Sequence, residues 1–486
     1  MDDFEKIALK IDNGCDEENA TALKEAISEI DQLLLSSQNS DNPLLHYYRA
    51  NAYSGLRLLD PHYNAFAWIQ HETSEEILSL RNAYKSPIFK DLHAIRQCQI
   101  LTNLGNALNR VGRPIDALSS WDEALKIQPR FAMAAGNRAN GLSHFSAALY
   151  DPGHQCIFLD EAIKGFKNAL QDEAIWDSDH AESIAEQFEA KLHDIEQYVQ
   201  KACDLETFHP DDFSIGETPE EQEFNLWRLK NRLFINPLND LNDWPVAAYD
   251  VFHLPSHTYD TYDDEPRFVR YFDHLKQEYA AACVLLWEGI VRDQELHIAD
   301  RSTLAFETGD YQVSSIHLEK QKAALRLAYS LLDKCAVFIN DYFQLGKKPE
   351  YVSFRNVWFS DRERTKLSKK IPEHNWRLRG LYSLSLDVYD DTLKEITSPL
   401  AVRVNDVRNA AEHRFLNIYE FMKPQTKFAA CEHISTDELY QLSLHVIRLA
   451  RSAIIGLSLS VHHHERFIKP EIEGIKFPFL SIPKRR

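Results

Sequence analysis

The stretch Val407-Arg408-Asn409-Ala410-Ala411-Glu412-His413-Arg414-Phe415-Leu416 guides the interpretation of the whole 486-residue chain. It has the pattern of a helix, and four residues separate Arg408 from His413. Five positions along a helix correspond to about 7.5 Å of rise and about 140° of rotation, so these two side chains do not share a stripe. Asn409 lies one turn before His413, and Arg408 lies one turn before Glu412.

Two interpretations of this stretch are open. In the structural one, Arg408 and Glu412 form a solvated ion pair, and His413 is a hydrogen-bonded residue of an interface. In the functional one, His413 and Asn409 face a cleft, and the long side chain of Arg408 reaches round its edge. A histidine suits general acid–base catalysis because its ordinary pKa of about 6.5 is close to neutral pH. A guanidinium is always charged and can donate two hydrogen bonds to a phosphate.

The same spacing occurs twice more, in Arg57/His62 and Arg292/His297. The first pair contains Pro61, which interrupts a helix. The second pair is a real alternative, because an acidic residue follows its arginine and an apolar run precedes it. The uninterrupted helical pattern around Arg408/His413 favours that pair, but spacing alone does not exclude Arg292/His297.

Composition indicates an ordinary soluble protein of two or three folding units, with 44% hydrophobic and 26% charged residues. The seven cysteines are scattered singly, which argues against a disulfide framework or a zinc ribbon and indicates a reducing cytoplasm. The acidic N-terminus lacks the pattern of a signal peptide. The most apolar run, residues 454–461, is too short to span a membrane. We expect a cytoplasmic location, no membrane association, no metal and no cofactor.

Charge is distributed unevenly along the chain. The net charge of −20 divides into −24 for residues 1–264 and +4 for residues 265–486. An acidic first half does not bind nucleic acid by its overall charge, whereas the second half can do so locally.

Residues 98–131 carry a second pattern, in which small, aromatic and helix-stopping residues recur at fixed places. They are Leu101, Leu104, Gly105, Leu108, Gly112, Ala117, Trp121, Ala124 and Pro129. This 34-residue pattern closely resembles a tetratricopeptide repeat, in which small residues let two helices approach and Trp121 fills the gap between them. One repeat cannot bury its own face, so neighbouring repeats are required. Residues 1–205 therefore resemble a short helical solenoid, and the resemblance implies a protein or peptide ligand on its concave face.

Within this solenoid, residues 150–154 are predicted to be a loop insertion, and residues 184–205 a capping helix. Residues 206–264 are rich in proline and aromatic residues and are predicted to be a packed connector. Four helices are predicted beyond it, at residues 268–297, 315–345, about 400–422 and 436–461, with a further segment at 381–396 leading into the third. The predicted fold class is all-α, with a solenoid followed by a four-helix bundle over residues 265–486.

The Arg408/His413 pair, together with Asn409 after the arginine and Phe415 two places after the histidine, resembles the active-site motif of the HEPN superfamily. Its position on the third of four helices matches the plan of that fold. The resemblance implies a metal-independent endoribonuclease in which His413 is general base or acid, Arg408 stabilises the transition state and Asn409 orients the phosphate or His413. Glu412 and Phe415 would be supporting residues.

The resemblance also implies a homodimer through the helix at about 400–422, since two motifs line one cleft in HEPN nucleases. It implies a role in antiviral defence or as a toxin, cutting tRNA or another RNA when a partner is sensed. In some toxin pairs a partner modifies a tyrosine at the place of Phe415, and phenylalanine lacks the hydroxyl that this requires.

Residues 347–379 form a basic insert with ten lysines and arginines against four acidic residues. Aromatic residues Phe354, Trp358, Phe359 and Trp376 are interleaved with them. Cations beside rings that stack on bases suit single-stranded RNA, although a basic surface over buried rings is an alternative. The predicted RNA-binding residues are Arg355, Arg362, Arg364, Lys366, Lys369, Lys370 and Arg377.

A second function class also fits the sequence. The repeats would bind a partner, and the helical bundle would only dimerise or bind RNA, as in a non-catalytic adaptor. The two classes share an architecture and differ in what His413 does.

Overall fold

A computed structural model describes residues 3–37, 39–177, 180–206, 208–255, 258–259, 266–290, 297–303, 309–361, 363–421, 429–468 and 475–476. The chain is mainly helical, which confirms the predicted all-α class with helical repeats before a helical bundle. It forms two compact units, residues 1–208 with 382–401 and residues 209–381 with 402–486. These units differ from the predicted boundaries, because residues 209–255 join the second unit and residues 382–401 join the first.

The first unit is a series of helical hairpins. Its helices are α1 (Asp3–Asp16), α2 (Ala20–Leu34), α3 (Pro43–Leu59), α4 (His71–Lys85), α5 (Ala94–Arg110), α6 (Pro114–Ile127), α7 (Ala132–Ser146), α8 (Pro152–Ala169) and α9 (Ala181–Ala202). Several of these helices begin where the sequence supplies a cap. Asn42 accepts hydrogen bonds from the first N–H groups of α3, and a proline occupies the first position of α3, α6 and α8.

Trp121 is the central packing residue of the predicted repeat. Its side chain is fully buried, and a methyl group added at Gly105 would lie 2.4 Å from its indole Nε1. Gly141 on α7 is equally close, with 2.4 Å between an added methyl and the indole ring. The two glycines therefore make the space that the tryptophan fills; the pattern predicts this role for Gly105, and Gly141 of the next helix was not part of it.

Two expectations for this unit are wrong. Residues 150–154 are not a loop insertion, because α8 begins at Pro152 and Asp151 caps it by accepting a hydrogen bond from the N–H of His154 at 2.8 Å. A disulfide joins Cys156 on α8 to Cys203 directly after α9, although the scattered single cysteines argued against a disulfide framework. The remaining five cysteines are free.

The segment 382–401 is held in the first unit by one buried carboxylate. Asp387 accepts hydrogen bonds from Arg81 on α4 at 2.5 Å and from Arg113 before α6 at 2.7 Å. The hydroxyl of Thr397, from the same segment, donates a third at 2.6 Å. Asp387 and Arg113 are nearly inaccessible to water, so each charge depends on the other for its solvation.

The second unit combines long helices with short strands. Its helices are α10 (Pro219–Lys230), α11 (Arg267–Ile290), α12 (Ile298–Ser302), α13 (Ile316–Tyr342), α14 (Trp376–Ser385), α15 (Ala401–His413) and α16 (Thr436–His463). Helices α14 and α15 straddle the boundaries of the segment that belongs to the first unit. Its strands are β1 (Thr258–Tyr259), β2 (Gln312–Val313), β3 (Phe415–Tyr419), β4 (Cys431–Ser435) and β5 (Ile475–Lys476).

Helices α11, α13 and α16 pack together as the core of the second unit. Serine caps start two of them, with Ser315 before α13 and Ser435 before α16 each accepting a backbone hydrogen bond. The helix Thr436–Phe467 is long and apolar enough to cross a membrane by length and composition, but 78% of its apolar window is buried inside the protein. That burial is typical of the central helix of a globular unit.

The predicted connector is bound to this core through Arg451 of α16. Its guanidinium makes two hydrogen bonds to the carboxylate of Asp240, at 2.7 and 3.0 Å, and two more to the carbonyl oxygens of Phe234 and Asn236. Both charged side chains are only 2% exposed. The segment is therefore part of the folded core of the second unit.

Two predicted helices are shorter than expected. The helix predicted at 400–422 ends at His413, and Phe415–Tyr419 is a strand instead, parallel to β4 and antiparallel to β2. Its alternating buried residues, Leu416 and Ile418, fit a strand with one face inward. The segment predicted as helix at 381–396 is helical only to Ser385, because the residues after it form the anchored loop around Asp387.

Replacing Asp387 by asparagine should destabilise the first unit by about 3–5 kcal/mol, since it removes the buried counter-charge of Arg113 and leaves that guanidinium with only the more exposed carboxylate of Asp116. Burial alone would raise the pKa of Asp387, but Arg113 and Arg81 hold it well below the ordinary value. Its contribution is therefore present above the unfolded pKa of about 3.9 and is lost as pH falls below it. Urea unfolding of wild type and variant between pH 3 and 7 measures both effects.

The exposed carboxylate of Asp391 provides the matched control. Asp391→Asn should leave the unfolding curve unchanged. Equal stability of wild type and Asp387→Asn at pH 7 would contradict the anchoring role of Asp387.

Candidate active site

Helix α15 carries the Arg408/His413 pair and ends at the histidine. The N–H of Arg414 still bonds to the carbonyl of Ala410 at 3.1 Å, and the N–H of Phe415 then bonds to the carbonyl of Ala430 at 3.1 Å. The chain thus passes from helix to sheet within two residues. His413 lies at this corner with its side chain exposed, so a ligand or a second chain can reach it.

Arg408 is half-buried and held in one orientation by three neighbours. Its Nε lies 3.0 Å from the carboxylate of Glu412, and a terminal nitrogen donates to the side-chain oxygen of Asn409 at 2.8 Å. The guanidinium carbon lies 5.0 Å from the ring centre of Tyr329 on α13, a cation–π contact. The i,i+4 ion pair of the structural interpretation is therefore present.

That ion pair does not exclude a phosphate from Arg408. The side chains of Arg408 and Glu412 are 27% and 38% exposed, and an exposed i,i+4 pair contributes only about 0.3–0.5 kcal/mol. A phosphodiester of RNA carries the same single negative charge as a carboxylate and can accept two guanidinium hydrogen bonds, so it can replace Glu412 at low cost. The contact with Tyr329 would keep the guanidinium in place during the exchange.

The remaining residues of the motif surround this pair. Asn409 donates to the side-chain oxygen of Asn405, one turn earlier, at 3.3 Å. Phe415, the aromatic residue two places after His413, is 71% exposed at the start of β3. One acidic neighbour was not foreseen: Asp333 lies on α13 one turn after Tyr329, and burial raises its pKa.

The other two Arg/His pairs have different settings. Arg57 is buried against Glu76 near the end of α3, and His62 lies beyond that helix, so the two share no helical surface. Arg292 lies outside the described residues. His297 begins α12 and accepts a hydrogen bond from the N–H of Ala299 at 3.1 Å.

The basic insert differs from its predicted role as a base-stacking platform. Phe354, Trp358 and Phe359 are buried, and the indole N–H of Trp358 donates to a backbone carbonyl at 2.7 Å. Arg355 is also buried, at 3% exposure, so neither it nor these rings can contact RNA in this structure. The basic and aromatic residues alternate here because the buried rings form a small core and most of the basic side chains lie on the surface above it.

Three of the predicted RNA-binding residues do form an exposed surface, namely Lys366, Lys369 and Lys370. Lys370 also donates to the carbonyl oxygen of Gln344. Arg364 is half-buried, and desolvation lowers the pKa of Arg377 to about 10, so it stays protonated at neutral pH. Arg362 lies outside the described residues.

A separate polar cleft lies in the first unit between α3, α4 and α5. Its volume is about 350 Å³, and Arg57, Arg110 and Glu76 line it together with Asn51 and Asn103. The Nε of Arg57 is buried without a hydrogen-bond partner and lies 3.5 Å from a carboxylate oxygen of Glu76. Two guanidiniums, one carboxylate and several side-chain amides suit a ligand that has a negative charge and peptide groups.

Four residues that were not predicted to lie together meet on the β3–β4 sheet: Asn417, Tyr419, Cys431 and His433. The alternation in Phe-Leu-Asn-Ile-Tyr and Cys-Glu-His-Ile-Ser was the available signal, because every second residue of a strand faces the same way. Among the described residues, no group of three or more His, Cys, Asp and Glu side chains is arranged to hold a metal ion.

A bundle of long helices that carries Arg-x4-His at the end of one helix is the arrangement of a HEPN domain. Residues 259–464 match the model of the LA2681-like HEPN family, and this match supports the presence of a HEPN domain in this part of the chain. No curated protein and no solved structure matches the chain. The first unit agrees with the predicted helical repeats, whereas their assignment to the tetratricopeptide type stays a prediction.

The exposed lysines give a test of RNA contact at the insert. Changing Lys366, Lys369 and Lys370 together to alanine should weaken binding to single-stranded RNA and lower the slope of log affinity against log salt by up to about 2, because each lost phosphate contact removes about 0.7. Fluorescence anisotropy with a labelled oligonucleotide at several salt concentrations measures this slope.

The matched control changes three exposed lysines of the first unit, Lys24, Lys126 and Lys201, to alanine. This variant has the same net charge and should keep the wild-type slope. If both triple variants behave alike, the lysines of the insert are a solvated surface without a role in binding.

Proposed function

We propose that this protein is a metal-independent endoribonuclease, with Arg408 and His413 as its catalytic pair. The observation that carries the proposal is the position of the pair: it lies inside the HEPN domain, and its histidine is exposed at the end of α15. HEPN domains are generally ribonucleases, and this supports an enzymatic role for the chain.

Cleavage requires one group that moves protons and one that holds negative charge. His413 takes the proton from a ribose 2′-hydroxyl, whose oxygen then attacks the adjacent phosphorus and expels the 5′-oxygen of the next nucleotide. The guanidinium of Arg408 releases Glu412, binds the phosphate and stabilises the negative charge that builds on the phosphate oxygens. Asn409 is next to Arg408 and orients either the guanidinium or the phosphate. The products carry a 2′,3′-cyclic phosphate and a free 5′-hydroxyl.

One histidine per chain is sparse for a reaction with two proton transfers. We therefore propose a homodimer in which two copies of α15 contribute to one cleft. The exposed side chains at this surface support it, since Val402 is 40% and Phe415 71% exposed, and a second copy would cover them. Phe415 would then pack at the interface or against a base.

In this proposal the first unit senses a protein or peptide and controls the nuclease, as in a toxin or antiviral-defence effector that cuts cellular or phage RNA in the cytoplasm. The net charges of −24 for residues 1–264 and +4 for residues 265–486 support a division of labour, because an overall negative charge disfavours nucleic acid on the first half and not on the second.

His413→Ala should reduce cleavage of single-stranded RNA by at least about 100-fold, because it removes the proton acceptor. Arg408→Ala should reduce it by about 10²–10³, because it removes the donor to the phosphate oxygens. Cleavage is measured on gels in EDTA, with a second substrate that has a 2′-deoxyribose at each cut position and should resist. Sedimentation of the same samples reports whether the variants keep the wild-type oligomeric state.

His297→Ala is the control for the alternative pair and should keep full activity. Glu412→Gln should keep or raise activity, because it removes the competitor for Arg408. Wild-type cleavage that persists in His413→Ala, or that is lost in His297→Ala, would refute the assignment.

A non-catalytic adaptor is the second candidate, and the polar cleft of the first unit favours it. A peptide with a free carboxylate suits this cleft, with the carboxylate near Arg57 and Arg110 and the peptide groups near Asn51 and Asn103. Peptides selected from a displayed library by the full chain should bind the wild type and lose at least about tenfold in affinity on Arg110→Ala, the cost of about 1.4 kcal/mol for a charged hydrogen bond.

Arg130→Ala is the matched control, because Arg130 pairs with Glu173 at an exposed site of the same unit. Amidated peptides, which lack the carboxylate, should bind less tightly than free acids to the wild type. Selected peptides that bind equally well to both variants would place the ligand elsewhere. A wild-type protein that binds such peptides and RNA but does not cut would favour the adaptor.

A further inference from the structure

The outer face of the β3–β4 sheet brings together a thiol, an imidazole, a phenol and an amide. In the parallel register Phe415 pairs with Cys431 and Asn417 pairs with His433, so Asn417, Cys431 and His433 share one face. The opposite face is closed, since Ile418 and Ile434 are buried.

The four side chains form a continuous chain of contacts. Asn417 Nδ2 donates to Cys431 Sγ at 3.1 Å, and that sulfur lies 3.6 Å from His433 Nε2. The other ring nitrogen of His433, Nδ1, lies 3.0 Å from the hydroxyl of Tyr419. When Nδ1 carries the proton and donates it to Tyr419, Nε2 has a lone pair aimed at the sulfur. This is the arrangement of a nucleophile, a base and a group that orients the base.

Cys431 differs from the other free cysteines in these neighbours. Cys98, Cys283 and Cys335 are buried, and burial raises the pKa of each thiol, to about 11 for the first two and about 12 for the third. Cys15 is exposed, but burial of its sulfur and the carboxylates of Asp12 and Asp16 raise its pKa. Cys431 and His433 are half-exposed, so a small molecule can reach the pair.

We propose that Cys431 is a reactive thiol that exchanges with small disulfides, with His433 as its proton acceptor. Asn417 stabilises the thiolate through a second hydrogen bond, and Tyr419 is a positioning residue that holds the imidazole. This site is independent of whether Arg408 and His413 cut RNA.

The exchange step is balanced without any further reagent. The thiol proton of Cys431 moves to His433 Nε2, and the thiolate attacks one sulfur of the disulfide R–S–S–R. The original S–S bond breaks, a mixed disulfide forms on Cys431, and the leaving thiolate takes the proton from His433. Cys431 is oxidised to a mixed disulfide with one R–S group, and the other R–S group leaves as the reduced thiol R–SH.

The surroundings favour a disulfide over an acyl substrate. Attack on a carbonyl develops charge on oxygen and needs donors directed at that oxygen. Disulfide exchange keeps the charge on sulfur, which is where Asn417 and His433 already point. The exposed ring of Phe415, paired with Cys431 in the sheet, adds an apolar surface beside the thiol.

The test uses the whole 486-residue chain and glutathione disulfide. Intact mass and peptide mapping over time should show a 1:1 adduct on Cys431 that forms at least about tenfold faster than on Cys15, because His433 can accept the thiol proton as the sulfur attacks. Cys431→Ser should abolish this adduct, and Cys15→Ser should not affect it. His433→Gln should slow it about tenfold and move the half-maximal rate to higher pH.

Tyr419→Phe provides a second variant with little change in shape. It should slow the reaction less than His433→Gln and displace the pH profile in the same direction, whereas a purely structural role would leave the profile unchanged. Circular dichroism checks that each variant is folded. A Cys431 that reacts no faster than Cys15, or a rate and pH profile unaffected by both His433→Gln and Tyr419→Phe, would overturn the proposal.

Discussion

The buried ion pairs of Asp387 are the interactions that hold residues 382–401 in the first unit. A buried charge costs several kcal/mol unless other groups replace its water, and here Arg81, Arg113 and Thr397 do so. The carboxylate comes from the C-terminal half of the sequence, and both arginines come from the N-terminal half. These contacts explain why residues 382–401 belong to the first unit.

The anchored segment 382–401 leads directly into the helix that carries the candidate active site. Helix α15 begins at Ala401, the last residue of the anchored segment, and it ends at His413. The helix is further fixed by Arg403, which binds Glu438 at the start of α16, and by the contact of Arg408 with Tyr329. Contacts along α15 thus fix the position of the helix, while the side chain of His413 at its end stays exposed.

Much of the fold could be predicted from the sequence because it rests on local signals. Ser315 and Ser435 mark the starts of α13 and α16, and the spacing of apolar residues defines their length. The glycine and tryptophan pattern around Trp121 is also local, since each residue acts within one helical hairpin. The candidate Arg408/His413 pair could be found by motif and spacing, and it lies within the residues that match the HEPN family model.

The features that escaped prediction depend on contacts between distant residues. Phe415–Tyr419 is a strand because Cys431–Ser435 pairs with it, and five residues of alternation after a helix are too few to show this. Cys156 and Cys203 approach each other only once α8 and α9 have packed. The rings of the basic insert are buried by the fold around them, and composition alone does not distinguish a covered ring from an exposed one.

The first unit is built from two separate parts of the sequence, and this has a consequence for its synthesis on the ribosome. Residues 1–208 emerge first, but the loop that neutralises Arg113 emerges only after the insert has been made. At about 5–20 residues per second, roughly 10–40 s pass between the synthesis of residue 208 and that of Asp387, and during this time Arg113 has only its local partner Asp116. The order of translation therefore makes completion of the first unit a late event, which follows the synthesis of residues 209–381 of the second unit.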